Sequence, residues 1–176
     1  IQAGDTVLIN GDIGRHGMCI MARRQGLEFE TTIESDCAPL NGIIGRLLDA
    51  GVEIHCLRDL TRGGLGTVAV ELAEACGKNI CLNQNAIPVH EQVQGACEIL
   101  GFDPLYVANE GRFVAFVKHE HAGKALEVMR AHEFGSESAI VGQVESDPAG
   151  LATLVSSIGT RRILDMLSGE QLPRIC

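Results

Sequence analysis

The chain has 176 residues, of which 45% are hydrophobic and 3% aromatic, with no Trp. That supports one domain with an aliphatic core, argues against wholesale disorder, and leaves little for stacking single-stranded bases. Fourteen basic residues stand against 23 acidic ones, a net charge of −9 with no basic run, so neither nucleic acid nor an anionic membrane surface is expected as a partner.

No stretch approaches the ~20 consecutive apolar residues of a transmembrane helix. The start, Ile1-Gln2-Ala3-Gly4-Asp5, has no signal architecture and no initiator Met, which reads as a fragment or a processed chain. Seven cysteines form no CxxC pair. An odd number in a chain this long argues for reduced thiols in a cytoplasmic protein. Six of them sit among apolar or small residues, and most of these are expected to be buried.

In chain order, residues 6–9 read as a buried strand running into Asn10-Gly11-Asp12. A helix follows over 17–25. Residues 28–34 alternate weakly, as a short strand or a loop. The spacing predicts a helix over 40–50, with Ile43, Ile44, Leu47 and Leu48 on one face. Strand 52–57, helix 67–75, strand 79–82 and helix 90–100 come next. Strand 111–118, helix 121–132 and strands 139–144 and 151–156 complete the alternation. Asp147-Pro148-Ala149-Gly150 between the last two is a hairpin or loop signal. Residues 161–167 read as a last strand or a turn of helix. This order predicts an α+β domain over 1–167, a mixed β-sheet with helices packed on it, and a mobile tail over 168–176.

Four segments could carry chemistry. Gly11-Asp12-Ile13-Gly14-Arg15-His16-Gly17 lies between a strand and a helix, where glycine amides and the helix N-terminus can meet an anion; the alternative is an ordinary turn. Arg58-Asp59-Leu60-Thr61-Arg62-Gly63-Gly64-Leu65 sits in the same context. There Asp59 could hold a metal or orient a neighbour, Thr61 could cap the helix, and Arg62 could pair with phosphate. Gly64-x-Gly66-x-x-Ala69 formally matches a dinucleotide fingerprint, but the next strand ends in Asn83, not an acid. No P-loop is present. In Phe102 to Arg112, Glu110 beside Asn109 could be a general base or a solvated loop carboxylate. Asp103, before Pro104, suits a cap or turn. His119-Glu120-His121 is a surface triplet with too few ligands for a metal site.

The fourth segment is the terminus, Leu172-Pro173-Arg174-Ile175-Cys176. It is not a prenylation box. Nine residues extended at ~3.3 Å each reach about 30 Å, enough to carry a group on sulfur between two sites. A chain end that happens to fall on Cys is the alternative.

Together these segments resemble the C-terminal half of the HypE family, the hydrogenase maturation proteins that make the cyanide ligands of [NiFe]-hydrogenase. The Asp59-x-Thr61-x-Gly63-Gly64 element is shared with the wider aminoimidazole ribonucleotide synthetase and selenophosphate synthetase superfamily; Pro173-Arg174-Ile175-Cys176 resembles HypE specifically. The resemblance implies the C-terminal-domain fold of that superfamily. It implies a carbamoyl group accepted from HypF on Cys176, activated by ATP, dehydrated to a thiocyanate, and delivered as cyanide to iron on HypC–HypD. It further implies Glu110 as the carboxylate that removes amide protons. Gly11, Asp12, Gly14, Arg15, His16, Gly17, Asp59, Thr61, Arg62, Gly63, Gly64 and Asn109 would face the nucleotide cleft. Most ATP and Mg²⁺ contacts and much of a homodimer interface would come from an N-terminal half that this chain lacks. Another ATP-dependent synthetase of the superfamily, or a docking module without catalysis, are the rival readings.

Overall fold

A computed structural model describes residues 1–25 and 32–166. Its centre is the apolar run TVLI, strand β1 (Thr6–Ile9), buried at all four positions. β1 pairs antiparallel with β4 (Phe113–Val117) on one side and β5 (Ala139–Glu145) on the other. β4 is likewise buried throughout, and its outer partner is β2 (Ile54–Asp59). Beyond β5 lie β3 (Asn79–Asn83), β6 (Ala152–Val155) and β7 (Arg161–Leu164). The order among the described residues is β2-β4-β1-β5-β3-β6-β7. Among the described residues only the β3–β6 pairing is parallel.

Two aliphatic cores flank this sheet. On one face Val7, Ile9, Val114 and Phe116 pack with Leu65, Val68, Ala69 and Ala73 of α3 (Gly64–Cys76). On the other, Leu8, Phe113, Ala115 and Val117 meet α2 (Asn41–Asp49) and α5 (Ala122–Arg130). α2 contributes Ile43 and Leu47, one helical turn apart; Leu48 is exposed. α1 (Arg15–Gln25) and α4 (Glu91–Leu100) form a third cluster through Met18, Met21, Val93 and Cys97.

The mixed α+β sheet agrees with the sequence reading, with local differences. α1 and α3 begin earlier than expected, at Arg15 and Gly64. Residues 32–34 have no regular structure, and 28–31 lie outside the described residues. Of the two alternatives for the segment containing Asp147-Pro148, hairpin or loop, the structure has the loop, because β3 separates β5 from β6. Of the six described cysteines only Cys19, Cys81 and Cys97 are buried; Cys56 and Cys76 are half-buried and Cys37 is exposed. The tail over 168–176, with Cys176, lies outside the described residues. No described helix is long and apolar enough to cross a membrane.

Candidate functional site

Strand direction brings the two glycine-rich turns together. β1 and β2 both run antiparallel to β4, with Ile9 opposite Val114 and Asp59 opposite Phe113. Both strands therefore end beside the start of β4, and the turns that follow them share one edge of the sheet.

Residues 109–112 bind the turns to each other. The fully buried Asn109 side chain accepts the Gly14 N–H at 2.7 Å and donates to the carbonyls of Leu60 (3.2 Å) and Val107 (3.0 Å). Buried Arg112 donates from Nε to the Asp12 carbonyl at 2.8 Å and from Nη2 to Asp12 Oδ1 at 2.5 Å. Its own carbonyl accepts the Leu60 N–H at 3.0 Å.

The first turn is thus more committed internally than its glycines suggest. Asp12 is fully buried, and its carboxylate meets Arg15 (2.6 Å) as well as Arg112. Burial alone would push the Asp12 carboxyl up, but the two guanidiniums outweigh it and hold it below the usual carboxylate range. Gly14 lies at φ +90°, a conformation that disfavours a side chain, and its N–H serves Asn109. The Gly17 N–H goes to the Ala108 carbonyl, and a Cβ there would lie 2.4 Å from Val107. Gly11 packs against Arg112, and His16 Nδ1 meets Ser35 Oγ at 2.9 Å. Two amides expected to cradle an anion are occupied by protein carbonyl or amide oxygens, and Arg15 is paired.

The second turn is more open. The Thr61 hydroxyl donates to Asp59 Oδ1 at 2.7 Å, and does not cap α3 as the sequence suggested. This hydrogen bond, helped by Arg58, holds the Asp59 carboxyl below its ordinary value. α3 starts from Gly63 and Gly64, both with positive φ and without a side-chain cap, so its N-terminal dipole is not neutralised locally. Arg62 is exposed and has no ion pair among the described residues. Gly64 and Gly66 are also packing positions: a Cβ on Gly64 would lie 2.5 Å from the Leu105 carbonyl, and one on Gly66 2.8 Å from the Tyr106 ring. That close approach accounts for the glycine spacing without a dinucleotide.

Glu110 is half-buried between the two clamps. Its N–H is held by Asp36, yet its carboxylate has no partner among the described residues.

Residues 2–154 match the family described as AIR synthase related protein, C-terminal domain. The chain belongs to that family. Within it, the chain is 50% identical to the carbamoyl dehydratase HypE of Azotobacter vinelandii over 175 residues, 99% of this chain and 51% of that protein. A crystal structure of HypE in complex with ATP matches with a TM-score of 0.93 at 41% identity, covering 99% of this chain and 53% of that one. A HypE–HypF complex matches with a TM-score of 0.90 at 44% identity, covering 95% and 54%. The chain spans about half the length of the curated relatives it matches.

This AIR synthase related C-terminal domain does not offer a convincing cation site among its described residues. Asp12, His90 and Glu137 place one ligand atom each within 4.8 Å. The Asp12 oxygens, however, already face two guanidiniums, which would repel a divalent ion, so Mg²⁺ does not fit there. Two residues of this domain escaped the sequence reading. Arg112 had a signal: a lone cation at the entrance of the wholly apolar strand FVAFV. Asp36, in a segment without regular structure, had none.

Proposed function

We propose that the chain is the acceptor half of an ATP-dependent carbamoyl dehydratase acting in [NiFe]-hydrogenase maturation, in the cytoplasm. The 50% identity to the A. vinelandii carbamoyl dehydratase HypE over 99% of the chain carries this reading.

In it, Cys176 receives a carbamoyl group from HypF and holds it as an S-carbamoyl thioester, R–S–CO–NH₂. ATP phosphorylates the carbamoyl oxygen and leaves as ADP, and the nitrogen gives one of its two protons to solvent, so that R–S–C(=NH)–OPO₃²⁻ carries a good leaving group in place of a poor one. Glu110 takes the remaining N–H proton as the C–O bond to phosphate breaks, leaving R–S–C≡N and inorganic phosphate. The cyano group then passes to iron on HypC–HypD. An uncommitted, half-buried carboxylate on a pinned backbone is suited to accept that proton.

The turn over Asp59, Thr61, Arg62, Gly63 and Gly64 would face the nucleotide phosphates through the uncapped start of α3 and the exposed Arg62. The turn holding Gly11, Asp12, Gly14, Arg15, His16 and Gly17 would form the wall beside it, locked by Asn109. Most ATP and Mg²⁺ contacts, and a homodimer interface, are assigned to the half that the longer relatives add.

The experiment uses the full-length protein with HypF, carbamoyl phosphate and ATP, read by intact mass. A carbamoyl adduct followed by a thiocyanate adduct on Cys176 is expected. Cys176→Ala should show neither, with ATP binding unchanged. Glu110→Gln should load carbamoyl yet dehydrate ~10²–10⁴-fold more slowly. Loading of Cys176→Ala, or wild-type dehydration by Glu110→Gln, would overturn the corresponding role.

A further inference from the structure

We propose that Asp36 is a positioning residue for the reaction, holding the backbone of Glu110 so that its carboxylate is presented to the reacting group. The proposal rests on the reading of Glu110 as general base.

The Asp36 side chain is completely buried, although it lies in a segment without regular structure. Its Oδ1 accepts the Glu110 N–H at 3.1 Å. Its carbonyl oxygen sits so close to Gly111 that a Cβ there would lie 1.9 Å away, so the two segments are in direct backbone contact. The segment is anchored in turn from α1: Ser35 Oγ meets His16 Nδ1 at 2.9 Å and accepts the Cys37 N–H at 3.2 Å.

Asp36 Oδ2 has no hydrogen-bond partner among the described residues, and Arg112 Nε lies 3.9 Å from it. Burying a carboxylate with one oxygen unmatched is unfavourable, and structural turns rarely keep such a group. The contact it does make is to Glu110, whose carboxylate has no partner among the described residues. Asn109 fixes the chain immediately before Glu110, and Arg112 fixes it two residues after. Asp36 supplies the missing hold at Glu110 itself. A misplacement of about 1 Å at a reacting group can lower a rate by ~10²-fold, which is the scale such a hold can control.

The test follows conversion of preloaded carbamoyl-Cys176 to thiocyanate in the full-length protein, in wild type, Asp36→Ala, Asp36→Asn, Glu110→Gln and Asp36→Ala/Glu110→Gln. Asp36→Ala should slow dehydration by ~10–10²-fold, with carbamoyl loading and ATP affinity unchanged. Asp36→Asn keeps an oxygen for the Glu110 N–H and should restore most of the rate with the wild-type pH profile. In the Glu110→Gln background, Asp36→Ala should add little further loss.

If Glu110→Gln is slow while Asp36→Ala turns over normally, or if Asp36→Ala lowers the Glu110→Gln rate by its full factor, the positioning role is overturned and the general-base reading stands. If Glu110→Gln itself dehydrates at the wild-type rate, that reading falls first. Should Asp36→Ala fail to fold, a folded Asp36→Asn that loses dehydration would overturn the proposal.

Discussion

Arg112 grips Asp12 twice, once at its main-chain oxygen and once at its carboxylate, with both side chains buried. The pair ties the end of β1 to the start of β4 and fixes the wall of the candidate cleft. Its electrostatics set the behaviour of the domain in acid.

The Asp12 carboxyl has a folded pKa below the ordinary value of 3.8. A carboxyl depressed on folding contributes stability that is present above the unfolded pKa and lost as pH falls through the folded one. Urea unfolding from pH 6 downward should therefore show a loss of stability that develops below about pH 4. Asp12→Asn should make this acid limb shallower. Arg112→Met should cost about 3–5 kcal/mol at neutral pH, since it breaks a buried pair. An acid limb unchanged by Asp12→Asn would count against this assignment.

His55 predicts the opposite trend. Its Nδ1 lies 2.8 and 2.9 Å from the two oxygens of buried Asp5, and Nε2 lies 3.3 Å from Glu53. The bond to Asp5, reinforced by Glu53, outweighs burial and raises the imidazole above its ordinary 6.5. Its stabilisation is complete below the unfolded pKa and is lost as pH rises through the raised folded value. Thermal unfolding between about pH 6 and 9 should show a falling Tm that His55→Gln flattens. Equal pH slopes in the two proteins would refute the assignment.

Asn109→Ala should leave the buried Gly14 N–H without its acceptor, while the Leu60 carbonyl keeps the Asn109 main-chain N–H at 3.1 Å. Stranded buried groups cost about 1–3 kcal/mol each. Asn109→Asp keeps the acceptor but turns a negative oxygen toward the Leu60 and Val107 carbonyls, and should be no better. Chemical denaturation of both variants measures this; a midpoint like that of wild type in Asn109→Ala would show that the bridge contributes little.

Thiol reactivity separates the described cysteines. Burial pushes the Cys97 thiol up to about 12, so almost no thiolate exists at neutral pH, whereas Cys37 is exposed. Labelling of the native protein followed by peptide mapping should modify Cys37 first among these six and leave Cys97 for the unfolded chain. Comparable rates at the two positions would contradict the burial pattern.

Local patterns made much of this fold legible. The run TVLI marked β1 at its true limits, and Asp103 before Pro104 was the cap it looked to be, accepting the Leu105 N–H at 3.0 Å. The start of α3 was hidden because two positive-φ glycines open it without a side-chain cap, and a helix that starts on glycine advertises nothing. The insertion of β3 between β5 and β6 was equally hidden, since strand order is decided by long-range pairing and not by the residues of the intervening loop. At the candidate site the residue types were visible, but their partners were not. That Asp12 would face Arg112 as well as the neighbouring Arg15, and that Gly17 would be needed for Val107, depends on residues far away in the chain.

The Asn109 side chain reaches partners 95 and 49 residues away in the chain. One amide group therefore removes a degree of freedom: neither turn can shift without either dragging the other or breaking a buried hydrogen bond. A molecule pressing on the open turn after β2 would be felt at the turn after β1 as displacement of a shared rigid body. The two turns would thus keep a fixed spacing, and any change in it would have to break the Asn109 bridge.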